Sequence, residues 1–329
     1  MSKKITYGSG IQIAFEHVLE NYDDSFIIGQ GLWSPWYVGN TMVDLDKKFG
    51  KERIIDCPVS ENSVTGTALG AALNGMKAIV VHPRMDFMVL ASDQLVNQAA
   101  KWSYMFGGQS SPGVTIRGII NRGGEQGAQH SQALHSWFAH IPGLKVVLPS
   151  TVSDARDLLI ASVLSNNPVI YIDDRWLYEQ KDDLPQANDV NLDNISPQIV
   201  HEGNSITLVG CGYSTLLLKN AVEKLIQNKI TPEIIDLRII NPFSHELISE
   251  SVKKTGRLFV LDGGWGPCGI SSEVIASVTE NINPKYFKSK PRRLTIPFTP
   301  APTSRNLESK YYPTEEKVFE DILNIFKDN

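Results

Sequence analysis

The sequence has little cysteine, and it lacks the long apolar runs and basic clusters that mark several classes of protein. Its cysteines, Cys57, Cys211 and Cys268, are scattered without metal-ligand spacing, so we predict neither a disulfide framework nor a zinc site. No apolar run approaches the roughly 20 residues of a membrane span, and residues 1–5 lack the apolar stretch of a signal peptide. The net charge is -5, without a strong basic cluster. We therefore expect a cytoplasmic protein that binds neither nucleic acid nor membrane.

The sequence does contain enough apolar material for a large core. A chain of 329 residues that is 42% hydrophobic favours two domains over one. In its first part, signals for buried strands alternate with signals for helices, which predicts an α/β fold with mainly parallel sheets and helices on both faces. The predicted strands are 26–29, 54–56, 77–82, 114–120, 145–149 and 169–172, and the predicted helices are 11–22, 41–49, 64–74, 90–106 and 154–164.

A second α/β block follows an acidic, Asn-rich segment that carries two prolines. We interpret this segment as a linker and predict domains at 1–180 and 205–329, joined by residues 181–204. The second block has the same alternation, so each domain is expected to be a three-layer α/β/α sandwich. Its predicted strands are 206–210, 233–236, 258–262 and 294–296, and its predicted helices are 216–228, 244–255, 270–281 and 315–326.

Glu61 follows a turn marked by Pro58 and precedes a helix of small residues. A carboxylate in the first turn of a helix is stabilised by backbone N–H groups and by the helix dipole. Taken alone, an acid at such a position more often stabilises the end of a helix than acts as a catalyst. Phe87 and His130 lie on loops that leave predicted strands, where sites on α/β folds are usually found. Each has an ordinary alternative, Phe87 as a core residue and His130 as a helix cap.

Several ordered motifs together resemble one known family. They cover Ser60-Glu61, Asp86-Phe87, residues 93–101, Gln129-His130-Ser131-Gln132, residues 140–147 and Asp262-Gly263-Gly264-Trp265. In this order they resemble the beta chain of the thiamine-diphosphate-dependent 2-oxoacid dehydrogenase decarboxylases, of the pyruvate, branched-chain and acetoin types. The resemblance covers nearly the whole chain. It implies a transketolase-like pyrimidine-binding domain followed by a transketolase C-terminal domain.

The resemblance implies thiamine diphosphate as the cofactor and assigns roles to four residues. Glu61 would share a proton with N1′ of the cofactor's pyrimidine, which activates the thiazolium ring. Phe87 would pack against the face of the same pyrimidine. His130 would orient the substrate or the acyl acceptor at the mouth of the site and move protons there. Leu90 falls where several relatives have glutamine, so one polar contact to the cofactor would be missing.

The resemblance also implies bound metals and a partner chain. Relatives often bind a structural potassium ion through main-chain carbonyls, and the matching positions are Val114, Ser162, Ser165 and Asn167. The diphosphate and its Mg²⁺ are normally held by a Gly-Asp-Gly segment followed by Asn-Asn. The chain has no Gly-Asp-Gly, and its only Asn-Asn is Asn166-Asn167. An alpha subunit would therefore hold the diphosphate and Mg²⁺ in an alpha-two-beta-two assembly, and the chain would be inactive alone.

Three functions stay open at this stage. In the first, the chain is the beta subunit of a 2-oxoacid decarboxylase that passes the acyl group to a lipoyl carrier on an acyltransferase core. In the second, a transketolase-like enzyme transfers an acyl or ketol unit to an aldehyde, ketone or sugar, which Arg84, Arg122 and Glu125 would suit as polar groups. In the third, a non-catalytic paralogue binds a partner without the cofactor. The presence of Glu61, Phe87 and His130 speaks against the third.

Overall fold

The computed structural model describes residues 4–187 and 190–327, and it divides into two compact units. The first unit contains residues 4–122 and 137–195, and the second contains residues 123–136 and 196–327. The segment predicted as a linker is divided between the units after Ile195 and carries short elements of regular structure. Its residues 188 and 189 lie outside the described residues. The predicted domain boundaries at 180 and 205 stay a prediction.

The first unit is built around a parallel sheet. Its strands are β1 (Ile5–Thr6), β2 (Ser25–Gly29), β3 (Ile54–Asp56), β4 (Lys77–His82), β5 (Thr115–Ile120), β6 (Lys145–Val147), β7 (Val169–Asp174) and β8 (Lys181–Asp182). Within this unit the sheet runs in the order β6-β7-β5-β4-β2-β3, and each of these neighbouring pairs is parallel. The short β1 and β8 form a separate antiparallel pair. Parallel strands need crossover connections, which place helices on the faces of the sheet.

The helices of this unit cover the sheet, and because its central strands are buried along almost their whole length, their sequences are mainly apolar. They are α1 (Tyr7–Asn21), α2 (Leu45–Phe49), α3 (Glu61–Leu73), α4 (Ala100–Met105) and α6 (Val152–Val163), and α5 (His135–Ala139) begins in the second unit and ends in the first. Every residue of β2, β5 and β7 is buried. Helices α1 and α6 pack closely on each other, and Gly10 permits this because a Cβ there would lie 2.9 Å from the carbonyl oxygen of Val152.

The second unit contains a smaller, mostly parallel sheet in the order β14-β13-β10-β11-β9, in which only the pairing of β9 with β11 is antiparallel. Its strands are β9 (Gln198–His201), β10 (Ile206–Gly210), β11 (Pro232–Asp236), β12 (Ile239–Asn241), β13 (Leu258–Trp265) and β14 (Arg292–Ile296). Its helices are α7 (Tyr213–Asn220), α8 (Val222–Gln227), α9 (Glu246–Thr255), α10 (Ile270–Asn281), α11 (Arg305–Glu308) and α12 (Glu315–Lys327). The prediction of an α/β fold with mainly parallel sheets is confirmed.

Several elements differ from their predicted form. The predicted helix 90–106 is instead a 3₁₀ turn (Met85–Ala91), a π-helical segment (Asp93–Ala99) and α4. The predicted helix 216–228 is divided into α7 and α8 at Ala221. The sequence predicted neither β9 nor β12, and it placed the start of α3 three residues late, at 64 instead of Glu61. The last difference matters because it puts Glu61 inside the helix as its first residue.

Candidate functional site

Glu61 is a buried carboxylate at the N-terminus of α3. Its residue is 5% exposed, and it follows Ser60, whose side chain makes no capping hydrogen bond to the helix. The positive end of the helix dipole favours a negative charge at this position. Val59, two residues earlier, is 74% exposed, so the carboxylate lies beside open apolar surface. The N-terminus of α3 therefore combines a buried acid with an exposed apolar side chain two residues before it.

One turn further along α3, a buried histidine contacts the helix. The Nε2 atom of His82, the last residue of β4, lies 3.2 Å from the hydroxyl of Thr65. Burial lowers the pKa of His82 from 6.5 to about 4. The imidazole is therefore neutral at physiological pH, and it holds α3 against the carboxyl end of the sheet without bringing a charge. Our sequence reasoning did not select His82 as a structural contact of α3.

The turns before Glu61 are fixed by hydrogen bonds at the ends of β2 and β3. The backbone N–H of Gly31 donates to the Oδ1 of Asp56 at 2.7 Å, and the N–H of Cys57 donates to the carbonyl of Gly29 at 2.9 Å. Gly29 itself must lack a side chain, because a Cβ there would lie 2.4 Å from the carbonyl oxygen of Val81. These contacts determine where the chain enters α3.

Phe87 and Leu90 lie on the 3₁₀ turn Met85–Ala91, which packs against α3. Phe87 is half-buried, whereas Leu90 is 61% exposed and its neighbour Val89 is 39% exposed. The structure therefore brings both residues to the helix that carries Glu61. Two partly exposed apolar side chains on a turn that packs against α3 present a surface that the apolar face of an aminopyrimidine can contact.

His130 belongs to the second unit by its contacts, although it lies in the first block of the sequence. It is half-buried on the segment 123–136, which packs with residues 196–327. The backbone N–H of Glu125 donates to the Oε2 of Glu308 at 2.9 Å. Gly127 has a φ of +75°, and a Cβ there would lie 2.6 Å from the hydroxyl of Thr303. No local pattern predicts this association, because the contacts join residues about 180 positions apart.

The far end of the same segment carries a buried pair. The Nε2 atom of His135 lies 3.0 Å from the Oδ1 of Asp262, and the two side chains are 2% and 0% exposed. Burial alone would raise the pKa of Asp262, but His135 and the N–H groups of Gly264 and Ser271 offset it and hold the pKa below its usual value. The carboxylate is therefore ionised under ordinary conditions. Asp262 belongs to the motif Asp262-Gly263-Gly264-Trp265, whereas no pattern in the sequence marks His135.

The charged residues that suggested a hydroxylated acceptor have partners within the chain. Arg122 is buried and pairs with Asp174 at 2.5 Å. Glu125 pairs with Arg305 at 3.2 Å. Burial and the neighbouring charge of Arg175 lower the pKa of Arg84 from its usual value, although a guanidinium remains charged at physiological pH. Arg122 is thus engaged in the fold of its own unit and Glu125 is engaged with Arg305 at the surface, which weakens the support for the second hypothesis.

The positions that match a potassium site adjoin one another at the ends of β5 and α6. The carbonyl of Val114 accepts the N–H of Val169 at 3.0 Å, and that of Ser162 accepts the N–H of Ser165 at 3.2 Å. Ser165 and Asn167 line a pocket of about 400 Å³, whereas Val114 and Ser162 do not. Gly113 is close to the same loop, since a Cβ there would lie 2.6 Å from the carbonyl oxygen of Ser165. Backbone carbonyls are the hard oxygen donors that such a cation takes, but those of Val114 and Ser162 already accept backbone hydrogen bonds.

Two further observations concern the described residues as a whole. Within residues 4–187 and 190–327, no three His, Cys, Asp or Glu side chains are grouped so as to hold a metal ion. Over the same residues, no helix has the length and apolarity needed to cross a membrane.

Comparison with known proteins identifies both units. Residues 3–181 match the family "Transketolase, pyrimidine binding domain", and residues 197–318 match "Transketolase, C-terminal domain". A solved structure described as "Split gene transketolase, inactive beta4 tetramer" superposes with a TM-score of 0.77 over 99% of both chains. Its sequence is only 17% identical, so this likeness concerns the fold alone.

Curated relatives are more similar in sequence. The chain is 34% identical to the acetoin:2,6-dichlorophenolindophenol oxidoreductase subunit beta of Bacillus subtilis over 99% of this chain and 98% of that protein. It is 32% identical to the pyruvate dehydrogenase E1 component subunit beta of Rhizobium meliloti over 97% of this chain and 69% of that one. It is 37% identical to the acetoin enzyme's beta subunit of Cupriavidus necator over 81% of this chain and 78% of that one. With both domains matched and these identities over almost its whole length, the chain belongs to the beta-subunit family of the thiamine-diphosphate-dependent 2-oxoacid dehydrogenases.

Proposed function

We propose that this chain is the beta subunit of a heteromeric, thiamine-diphosphate-dependent 2-oxoacid dehydrogenase, in which it provides the pyrimidine side of the active site. The observation that carries the proposal is Glu61, a carboxylate that is 5% exposed at the first position of a helix in a matched pyrimidine-binding domain. When bound, the cofactor supplies a thiazolium carbon that can act as a nucleophile once its proton is removed. The residues of this chain determine whether that activation takes place.

In this function Glu61 holds and moves one proton at N1′ of the pyrimidine. The carboxyl group is well placed for this because it is largely removed from water and the helix dipole lies behind it. Phe87 packs against the pyrimidine and limits how deeply the ring can enter. Leu90 contributes apolar contact only, so it cannot replace a glutamine amide. His130 orients the 2-oxoacid or the acyl acceptor and transfers protons there.

The remaining parts of the site are assigned to an alpha subunit. We infer that it holds the diphosphate and Mg²⁺ and assembles with this chain as alpha-two-beta-two. The exposed apolar side chains of Val59, Val89 and Leu90 support this arrangement, because they lie just before α3 and on the turn that packs against it, and exposed apolar side chains on packed elements are typical of an interface. A structural potassium ion at the carbonyls of Val114, Ser162, Ser165 and Asn167 belongs to the same proposal.

The acyl group is proposed to pass to a lipoyl carrier on an acyltransferase core. The names of the relatives, which refer to acetoin and pyruvate, support a small 2-oxo or acyloin substrate. Transfer to a sugar is not favoured, because Arg122 and Glu125 are engaged within the chain. A cytoplasmic location stays a prediction from the sequence.

The decisive experiment replaces Glu61 by glutamine in the reconstituted complex. We expect exchange of the cofactor's thiazolium proton with solvent deuterium, followed by NMR, to slow by about 100-fold or more, as for loss of a general acid–base group. Asp154→Asn is the matched control, since Asp154 is another buried acid in the first turn of a helix of the same unit. It should leave the exchange rate near that of the wild type. Wild-type exchange in the Glu61→Gln complex would remove the proposal.

A further inference from the structure

The segment 123–136 is attached to the second unit at both of its ends. At its start, the N–H of Glu125 donates to Glu308, whose residue is only 8% exposed. At its end, Ser136 accepts the N–H of Ile270 through its hydroxyl at 2.9 Å, and His135 contacts Asp262. His130 lies between these two attachments. Glycines at 123, 124 and 127 have positive φ, so the part before His130 follows a path that most other residues disfavour.

The attachment at His135 is the more deeply buried of the two. Asp262 is fully buried, and its carboxylate receives the N–H of Gly264 at 2.8 Å and that of Ser271 at 3.2 Å, in addition to the contact with His135. The two N–H groups come from the end of β13 and the first turn of α10, so the carboxylate itself is rigidly held. A charge-assisted contact in such a site is stronger and more directional than one at the surface.

Gly264 shows that the chain is shaped around the imidazole. A Cβ at this position would lie 2.9 Å from the Cε1 of His135 and 3.3 Å from the carbonyl oxygen of Ala133. Any side chain would therefore push the ring and the backbone that leads to His130. The missing side chain at Gly264 and the buried carboxylate of Asp262 are independent observations, and both lie against the imidazole of His135.

We propose that His135 and Asp262 form a positioning pair that fixes the loop 123–136 on the second unit and thereby sets the place of His130. This inference rests on the proposed function, in which His130 acts on the substrate or the acyl acceptor. His135 is five residues from His130 and does not react itself. It acts by limiting where His130 can be, since small displacements of a reacting group lower the rate strongly.

The first test compares His135→Gln, His130→Ala and the double variant in the reconstituted complex. His135→Gln should lower kcat about 10-fold while leaving the half-saturating concentration of thiamine diphosphate unchanged, because the pyrimidine side of the site is in the first unit. In the His130→Ala background the same change should lower kcat by less than 2-fold. If the fold-decrease in kcat of the double variant equals the product of the two single decreases, His135 does not act through His130, and the inference is overturned.

The second test uses hydrogen exchange of the full-length chain. His135→Gln should speed amide exchange at least 10-fold across residues 123–136 and leave β10 and β11 at their wild-type rates. Thr215→Val is the matched control, because it removes a buried hydrogen bond to a buried aspartate of the same unit, Asp236, without touching the loop. This control should leave exchange in the loop unchanged.

The two tests separate the possible failures. If His130→Ala retains full activity, the role assigned to His130 in the proposed function is wrong, and the exchange experiment still decides whether the pair anchors the loop. Unchanged exchange across 123–136 in His135→Gln would overturn the anchoring itself. If His135→Gln does not fold, Gly264→Ala retains both side chains but places a methyl group against the His135 ring, which should disturb its contact with Asp262 and give the same kcat loss and the same exchange pattern.

Discussion

At the scale of single residues, His82 links the stability of the first unit to pH. Its pKa is about 4 in the folded chain, and an unfolded chain has the usual 6.5, so the unfolded state binds more protons between these values. The stability that the neutral ring contributes is therefore fully present above about pH 6.5 and is lost as the pH falls towards 4. The difference corresponds to roughly 3 kcal/mol in the free energy of unfolding.

We therefore expect the free energy of unfolding to depend less on pH below 6.5 in His82→Asn than in the wild type. Urea unfolding of the chain at a series of pH values between 7 and 4 should show a smaller loss of unfolding free energy in the variant than in the wild type. His140→Asn, which changes an exposed histidine, is the control and should keep the wild-type slope. A variant slope equal to that of the wild type would show that His82 is not the group responsible.

Arg117 is a second residue whose contribution is structural. It is fully buried, its Nε and Nη2 atoms donate to the two oxygens of Asp173 at 2.8 and 2.9 Å, and its Nη1 donates to Thr41 at 2.8 Å. Burial opposes the charge of Arg117, but Asp173 more than offsets it, so the pKa of Arg117 is raised. The pair joins two strands, β5 and β7, and the turn that carries Thr41, all in one unit, and no local sequence pattern predicted it.

Breaking this pair should be strongly destabilising. Arg117→Met leaves the Asp173 carboxylate buried without its partner, and we expect a loss of about 3–5 kcal/mol in the free energy of unfolding. The double variant Arg117→Met with Asp173→Leu removes both charges and should recover much of that loss, as measured by urea denaturation. Lys47→Met, at an exposed ion pair with Asp44, should change little. Equal losses in the single and double variants would contradict this explanation.

The site residues differed in how far the sequence could predict them. Glu61, Phe87 and Leu90 were predicted from motifs that lie close together in sequence, and the structure places them on α3 and on the turn that packs against it. The partners of the His130 loop could not be predicted in this way. His135 and Asp262 are separated by 127 positions, and a contact of that range leaves no periodicity to detect.

At the scale of elements, strands were easier to predict than the segment that follows β4. Residues 77–82 were predicted correctly as a strand from their apolar run, and five of the six are buried in the structure. Residues 90–106 have apolar residues at helical spacing, but the observed backbone is 3₁₀, then π, then α. Such irregular turns are set by packing against α3 and are frequent at functional sites, so helix propensity alone predicts a regular helix here.

The last helix, α12, gives an element-scale prediction. Val318, Ile322 and Ile325 of α12 are at most 2% exposed and belong to the core cluster of the second unit. Ile322→Ala removes a fully buried side chain and should lower the free energy of unfolding by about 2–5 kcal/mol. Glu320→Ala, on the same helix but at a less buried position, is the control for helix propensity and should have a small effect. Thermal unfolding of both variants measures the difference, and equal effects would show that α12 does not complete this core.

At the scale of the whole molecule, the exposed apolar residues Val59, Val89 and Leu90 are expected to contact the alpha subunit. A single charge placed among them should weaken assembly without unfolding the chain, because burying an unpaired carboxylate in an interface is unfavourable whereas leaving it in water is not. Leu90 is 61% exposed in the chain by itself, so Leu90→Asp should preserve the thermal stability of the isolated chain.

The same substitution should raise the dissociation constant of the alpha–beta complex at least 10-fold in sedimentation velocity and raise the thiamine diphosphate concentration needed for activity. Ile226→Asp is the matched control, since Ile226 is a 47% exposed apolar residue of the second unit, on α8. It should leave both quantities unchanged. If Leu90→Asp assembles with wild-type affinity while Ile226→Asp does not, the surface at Val59, Val89 and Leu90 is not where the partner binds, and the alpha subunit must reach the chain through α8.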